Sequence, residues 1–327
     1  MIETSGLTKT FRQGKKTVEA VRGIDLTIGE GELVALLGPN GAGKSTTLRM
    51  LTTLLAPTSG SARIAGFDVG RDRDSVRRSL GYVGQGNGAG HNQRVRDELV
   101  VQGLCYGMTR HRSLTRADEL IDALELGELR SRTVSTLSGG QRRRLDIALG
   151  LVHRPALLFL DEPTTGMDPQ SRANLWDHIL RLRREMGTTI VLTTHYLDEA
   201  DSMAERVIVV DHGTVIADDT AASLKSELAG DLIVLTVSDA SALLSLLAGM
   251  DGIRDVTRTG SRLNLRVGRA EVVLPEVLRC SEMHGIRVLT ADMTRPTLDD
   301  VFLGLTGRSL RETAAALDNA STAGELR

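Results

Sequence analysis

The chain has 327 residues, too many for one average domain, so two are expected. Hydrophobic residues make up 41% and charged residues 25%, the balance of a soluble globular protein, and with aromatics at only 2% the core must rest on Leu, Val, Ile and Ala. A net charge of −2 excludes a general electrostatic pull toward nucleic acid and argues against loose adsorption to anionic lipid.

The opening residues MIETSGLTKTF carry an acid at Glu3 and no apolar core, so they do not read as a signal peptide. Apolar runs such as 33–37 and 156–160 are strand-length, well short of the roughly 20 residues that cross a bilayer. Cys105 and Cys280 lie far apart without metal-ligand spacing and read as buried or half-buried free thiols of a cytosolic chain.

In chain order, strands are expected at 2–7, 18–26 and 32–37, the last ending in a glycine-rich loop. A helix should start at Lys44 and run toward residue 55, where Pro57 stops it. Residues 66–133 turn mostly helical and polar. Strand and helix then alternate: strand 157–160, helix 170–185, strand 189–193, a short helix 197–204, and a hairpin of 206–210 with 214–216. Apolar strands alternating with helices mean a mostly parallel sheet covered on both faces. After Gly230 the order becomes strand 232–237, helix 240–248, strands 253–258 and 263–267, helix 272–284 and strand 286–293, a β-α-β-β-α-β succession that suggests a small ferredoxin-like domain. A helix at 297–305 closes it, and the Ala-rich residues 309–327 read as a frayed helix or disordered tail.

Gly38, Pro39, Asn40, Gly41, Ala42, Gly43, Lys44 and Ser45 spell GPNGAGKS, the pattern GxxxxGK(S/T), with Thr46 following. Its glycines let backbone N–H groups converge on phosphate oxygens, and the helix start adds partial positive charge. Lys44 supplies a mobile cation for β- and γ-phosphates, and Ser45 offers its hydroxyl to Mg²⁺. Asp161 and Glu162 follow a buried strand, at the carboxyl end where open α/β sheets bind ligands. Asp161 is placed to hold Mg²⁺, and Glu162 to polarise the attacking water as general base. An adjacent acidic pair alone is more often a solvated turn; with the phosphate loop it indicates a P-loop NTPase.

Leu137 and Ser138, Gly139, Gly140 and Gln141 then read LSGGQ, twenty residues before Asp161 and ahead of a helix. Alone this is a capped turn; in this place it resembles the signature motif of the ABC ATPase family. The resemblance covers residues 1–222, with a helical subdomain at about 86–150. It implies a RecA-like core with helical and amino-terminal antiparallel β-subdomains, followed by the small α+β domain at 230–307 and the tail at 308–327. It also implies that Gln85 senses Mg²⁺, water and the membrane partner, and that Asp168, after Gly166 and Met167, lies in the loop following the acidic pair. His195 would contact the γ-phosphate. Phe11 would stack on adenine, although the residue alone is equally open to a place in the core. The run Arg142–Arg144 reads mainly as a solvated helix face.

One phosphate loop and one signature per chain imply, by the same resemblance, a homodimer in which each ATP is sandwiched between two copies. The segments PTLDDVFLGLTG (296–307), TGMDPQSR (165–172) and TTHYLDEAD (193–201) resemble the drug-resistance ATP-binding subunits of the daunorubicin/doxorubicin type. That resemblance implies a separate integral membrane permease, a place at the cytoplasmic face of the cell membrane, and export of a drug or similar amphipathic compound. Lipid or polysaccharide export and a non-transport regulator remain the alternatives. A doubled translation factor or a coiled-coil chromosome ATPase is disfavoured by the single unit and the lack of sustained heptads. One departure is the glycine-rich 86–94, with Gly84 where relatives often have proline; it reads as a mobile loop with His91 facing solvent.

Overall fold

In the computed structural model, which describes residues 1–14 and 16–307, the amino-terminal segment builds a long antiparallel hairpin. Strand β1 (Ile2–Gln13) pairs with β2 (Lys16–Ile28), both running past the ranges read from apolar spacing. The added residues are mostly polar, so the apolar signal fades before the pairing does. Next comes β3 (Leu33–Leu37), buried at every residue as a strand covered on both faces must be. Helix α1 (Lys44–Leu51) ends a turn earlier than Pro57 demands. Thr53 is left-handed at φ 63°, and the Thr52 hydroxyl donates back to Leu48 O at 2.9 Å.

Strands β4 (Ser59–Ile64) and β5 (Phe67–Asp68) return to the hairpin, giving an antiparallel sheet of order β2-β1-β4-β5. Helix α2 (Arg73–Ser79) leads into β6 (Leu80–Val83), and α3 (Val95–Cys105) and α4 (Arg110–Ala123) form the helical stretch. Helix α5 (Gly139–Leu151) precedes β7 (Leu157–Asp161). Helix α6 (Pro169–Met186), with Asp168 as N-cap, Pro169 at its first position and left-handed Gly187 after its last, feeds β8 (Thr189–Thr194). Helix α7 (Leu197–Met203), β9 (Arg206–Asp211) and β10 (Thr214–Asp219) follow. The six-stranded sheet has order β10-β9-β3-β8-β7-β6, with β9, β3, β8, β7 and β6 parallel.

The chain divides into two compact units, Met1–Asp218 and a second beginning at Asp219. The second starts earlier than the change of character at Gly230 suggests, because helix α8 (Ala221–Leu224) and the π-helical turn Lys225–Ala229 pack with the last helix. Its sheet contains β11 (Asp231–Val237), β12 (Ile253–Thr259), β13 (Arg262–Val267) and β14 (Val288–Thr294), with α9 (Ala240–Leu247) and α10 (Ala270–Met283) between strands. All three pairings in the order β12-β13-β11-β14 are antiparallel, the ferredoxin-like arrangement. Its core joins Ile233, Leu235, Leu263 and Leu265 to Leu243, Leu247, Val273 and Val277 of the helices. Helix α11 (Leu298–Thr306) starts with a Thr297–Asp300 capping box. The tail expected at 308–327 lies outside the described residues.

No helix among the described residues is long and apolar enough to cross a membrane. Both cysteines are free; Cys280 is half-buried, but Cys105 is exposed, on the same outward face of α3 as Asp97 and Val101.

Candidate active site

The chemistry-bearing residues gather at the carboxyl ends of β3, β6, β7 and β8, where adjacent parallel strands release their chains in one place. The loop after β3 is sterically committed to glycine. A Cβ on Gly38 would lie 2.1 Å from Val210 O, and Gly43, at φ 105°, would put one 2.5 Å from Ala20 O. With Gly43 as the left-handed N-cap of α1, the first N–H groups of that helix have no intrahelical partner and face the loop. Lys44 is buried and donates to Gly38 O at 2.6 Å and Pro39 O at 3.0 Å. Burial pushes its pKa down, against the pull of Glu162 and Asp161, and its Nζ lies 4.0 Å from Glu162 Oε1.

Asp161 is fully buried and accepts from Ser45 Oγ at 2.8 Å, Thr193 Oγ1 at 2.7 Å and Tyr82 OH at 3.3 Å. Gln85 Nε2 donates to Ser45 Oγ at 3.2 Å, so hydroxyl, carboxylate and side-chain amide meet at one point. Glu162, half-buried, sits in left-handed backbone at φ 47°. Its N–H donates to Thr193 Oγ1 at 3.0 Å and its Oε2 lies 3.5 Å from His195 Nδ1. The neighbouring His195 is the largest influence holding the Glu162 carboxyl below the usual range; Lys44 adds to it and burial opposes it.

Two cavities border these residues. One, of about 610 Å³, is lined by Phe11, Val18, Asn40 to Thr46, Gln85 and Glu162. Phe11 therefore stands at the rim of the phosphate loop, 40% exposed, and not in the core. The second, of about 360 Å³, is lined by Ser138, Gly139, Gly140, Gly166 and Asp168, again with Gln85 and Glu162. Ser138 and Gln141 form a capping box at the start of α5, which leaves the glycine backbone open to the cavity. Gln141 lines a neighbouring hollow with Ser138 and Gly140. Asp168 is exposed and accepts from Ser171 N at 2.9 Å; the Ser171 hydroxyl first, and then this backbone bond, hold its carboxyl below the usual range.

Besides Tyr82, four residues of the site escaped the sequence reading. Arg143, taken for part of a solvated face, is buried and donates to Gly84 O, Pro163 O and Asp161 O at 2.6, 2.7 and 3.2 Å. Its spacing to buried Ile147 and Gly150 puts it on the inner face of α5, a pattern visible in the sequence. Thr193 bridges Asp161 and Glu162 from β8. Glu199 accepts from Thr164 and, at 3.0 Å, from Thr194, tying the segments after Glu162 and before His195. Asp146 accepts from the N–H groups of Gly88 and Ala89 at 3.0 and 3.1 Å, and Gly90 N donates to Glu98. In the glycine-rich segment expected to be mobile, three successive N–H groups thus bind side-chain carboxylates, and His91 is exposed as expected.

The family described as ABC transporter matches residues 21–165, and that described as ATP-binding protein DrrA1-3-like, C-terminal domain, matches residues 220–306. Over 324 residues the chain is 44% identical to the daunorubicin/doxorubicin resistance ATP-binding protein DrrA of Streptomyces peucetius, covering 96% of each. It is 36% identical to the doxorubicin resistance ATP-binding protein DrrA of Mycobacterium tuberculosis, over 93% of each. It is 35% identical to the linearmycin resistance ATP-binding protein LnrL of Bacillus subtilis, over 95% of this chain and 100% of the relative. Among solved structures, a dimeric ATP-binding cassette in a post-hydrolysis state with ADP and Pi has TM-score 0.62 and 28% identity, covering 67% of this chain and 98% of its own. The cbiO subunit of Clostridium perfringens, part of the ABC transporter complex cbiONQ, has TM-score 0.63 and 25% identity, covering 76% and 95%.

Proposed function

Because the chain belongs to the ABC transporter family and is an ATP-hydrolysing subunit of it, we propose that two copies sandwich ATP and drive a separate permease in drug export. What supports the dimer is that the phosphate loop and the signature line different cavities of one chain, as a site shared between two copies requires. The drug-resistance names of the relatives, over nearly the whole chain, support the cargo class. The working place is the cytoplasmic face of the membrane, through the permease.

Within each composite site Phe11 stacks on adenine, and Gly38 to Thr46 cradle the phosphates with Lys44 as the mobile cation. Ser138 to Gln141 and Asp168 approach the nucleotide held by the other copy. The hard oxygens of Ser45 and Asp161, with the Gln85 amide turned to present its carbonyl, fit Mg²⁺. Bound there with ATP, Mg²⁺ supplies charge that neutralises the β- and γ-phosphate oxygens. Glu162, kept ionised by its surroundings, takes the proton of the attacking water, and His195 holds the γ-phosphate side of the site.

Glu162→Gln protein should bind ATP, hydrolyse it at least about 100-fold more slowly, and accumulate an ATP-dependent dimer by light scattering. A fully active variant would remove Glu162 from the base role. The exporter reading is tested by purification with a membrane protein of the six-helix type and by drug-stimulated ATPase in proteoliposomes. No stimulation by any amphipathic drug would sink it.

A further inference from the structure

Glu162 holds a left-handed backbone that side-chain-bearing residues seldom adopt, so something must impose it. Thr193 grips its N–H from β8. The carbonyls on either side, Asp161 O and Pro163 O, are both gripped by one side chain from another element, Arg143 of α5. The third bond of the same guanidinium goes to Gly84 O, one residue before Gln85. Arg143 is only 8% exposed, and its three hydrogen bonds all end on main-chain carbonyls. A cation taken so far from water is costly, and its rigid fork is what allows three divergent carbonyls to be held at once.

We propose that Arg143 is a positioning residue for ATP hydrolysis. It clamps the main chain around Glu162 and joins that clamp to the entry of the Gln85 segment. Carboxylate, glutamine and the signature helix α5 then keep one geometry. Arg143 borders the signature cavity, but its hydrogen bonds are spent on main-chain carbonyls, and the inference rests on the reading of Glu162 as general base. Lysine, a point charge on a flexible stem, and glutamine, a neutral amide with two N–H donors, both lack the planar fork that holds three divergent carbonyls at once.

The test is a double-mutant cycle on the full chain, with R143Q, R143K, E162Q and R143Q/E162Q compared in steady-state ATPase assays. R143Q should lower kcat by about tenfold or more with KM for ATP within about twofold, and R143K should recover part of the loss. In the E162Q background the loss caused by R143Q should shrink to about twofold or threefold, because what it then disturbs is only the Gln85 segment. A similar loss in both backgrounds, or wild-type kcat in R143Q, overturns the clamp alone. Wild-type kcat in E162Q overturns the base assignment and the clamp with it. If R143Q does not fold, as judged by its melting curve, R143K carries the same cycle.

Discussion

Thr193→Val tests the second grip on the catalytic pair with little change of volume. Valine keeps the β-branched shape that β8 favours, so neither a cavity nor a loss of strand preference complicates the result. What disappears is one hydroxyl, fully buried, that donates to the Asp161 carboxylate at 2.7 Å and accepts from Glu162 N at 3.0 Å. A hydrogen bond to a charged group is worth about 1.5–3 kcal/mol. The second loss is smaller, since Glu162 N also reaches Thr193 O at 3.2 Å, and Asp161 keeps Ser45 and Tyr82. A total of about 2–3 kcal/mol follows. For a unit the size of Met1–Asp218 that lowers the melting temperature by roughly 4–12 °C. The displaced carboxylates should also cost about 10- to 100-fold in kcat, while Thr193→Ser stays close to wild type. Calorimetry and steady-state ATPase measure both effects. A Thr193→Val protein that melts within about 1 °C of wild type and turns over normally would show that these bonds do not hold the pair.

Phe11→Ala should raise KM for ATP by about 5- to 150-fold, the value of one aromatic stacking on a base, while Phe11→Trp preserves it. Since Phe11 is exposed, melting should not change; an unchanged KM would place the ring outside the adenine site. Glu162 has a folded pKa below its unfolded value near 4.3, chiefly through His195, so its stabilisation is full above that value and fades as pH falls through the folded one. The melting-temperature gap between wild type and Glu162→Gln should therefore narrow on acidification from about pH 6 to pH 3, and a constant gap contradicts the shift. Asp146→Ala should speed hydrogen exchange at Gly88 and Ala89 at least about tenfold, whereas Asp146→Asn, which keeps an acceptor oxygen, should not. Unchanged exchange in the alanine variant would mean that other contacts hold the segment.

The sequence disclosed the parts whose chemistry demands a residue type at a fixed place. Gly38 and Gly43 are dictated by clashes that any Cβ would cause, Lys44 by its charge, and Asp161 and Glu162 by their oxygens, so each leaves a mark in the chain. The order of strands and helices was equally legible, because burial on both faces of the central sheet forces apolar runs such as β3 and β7. What stayed hidden acts through the main chain. Arg143 binds three carbonyls, Asp146 two N–H groups, and Thr193 one N–H besides its carboxylate. Every residue other than proline offers both groups, so the partner of such a bond has no identity to read. Composition accordingly said nothing of the bonds that tie the glycine-rich segment to Asp146, 58 residues from Gly88 in the chain. The same reasoning explains why Arg143 looked like a solvated charge: an arginine beside two others signals surface unless its helical spacing to Ile147 and Gly150 is weighed first. Residues that react are therefore constrained in type on both sides of each contact, whereas residues that position are constrained on one side only. The clamp around Glu162 can be maintained while the residues it grips, Gly84 among them, vary.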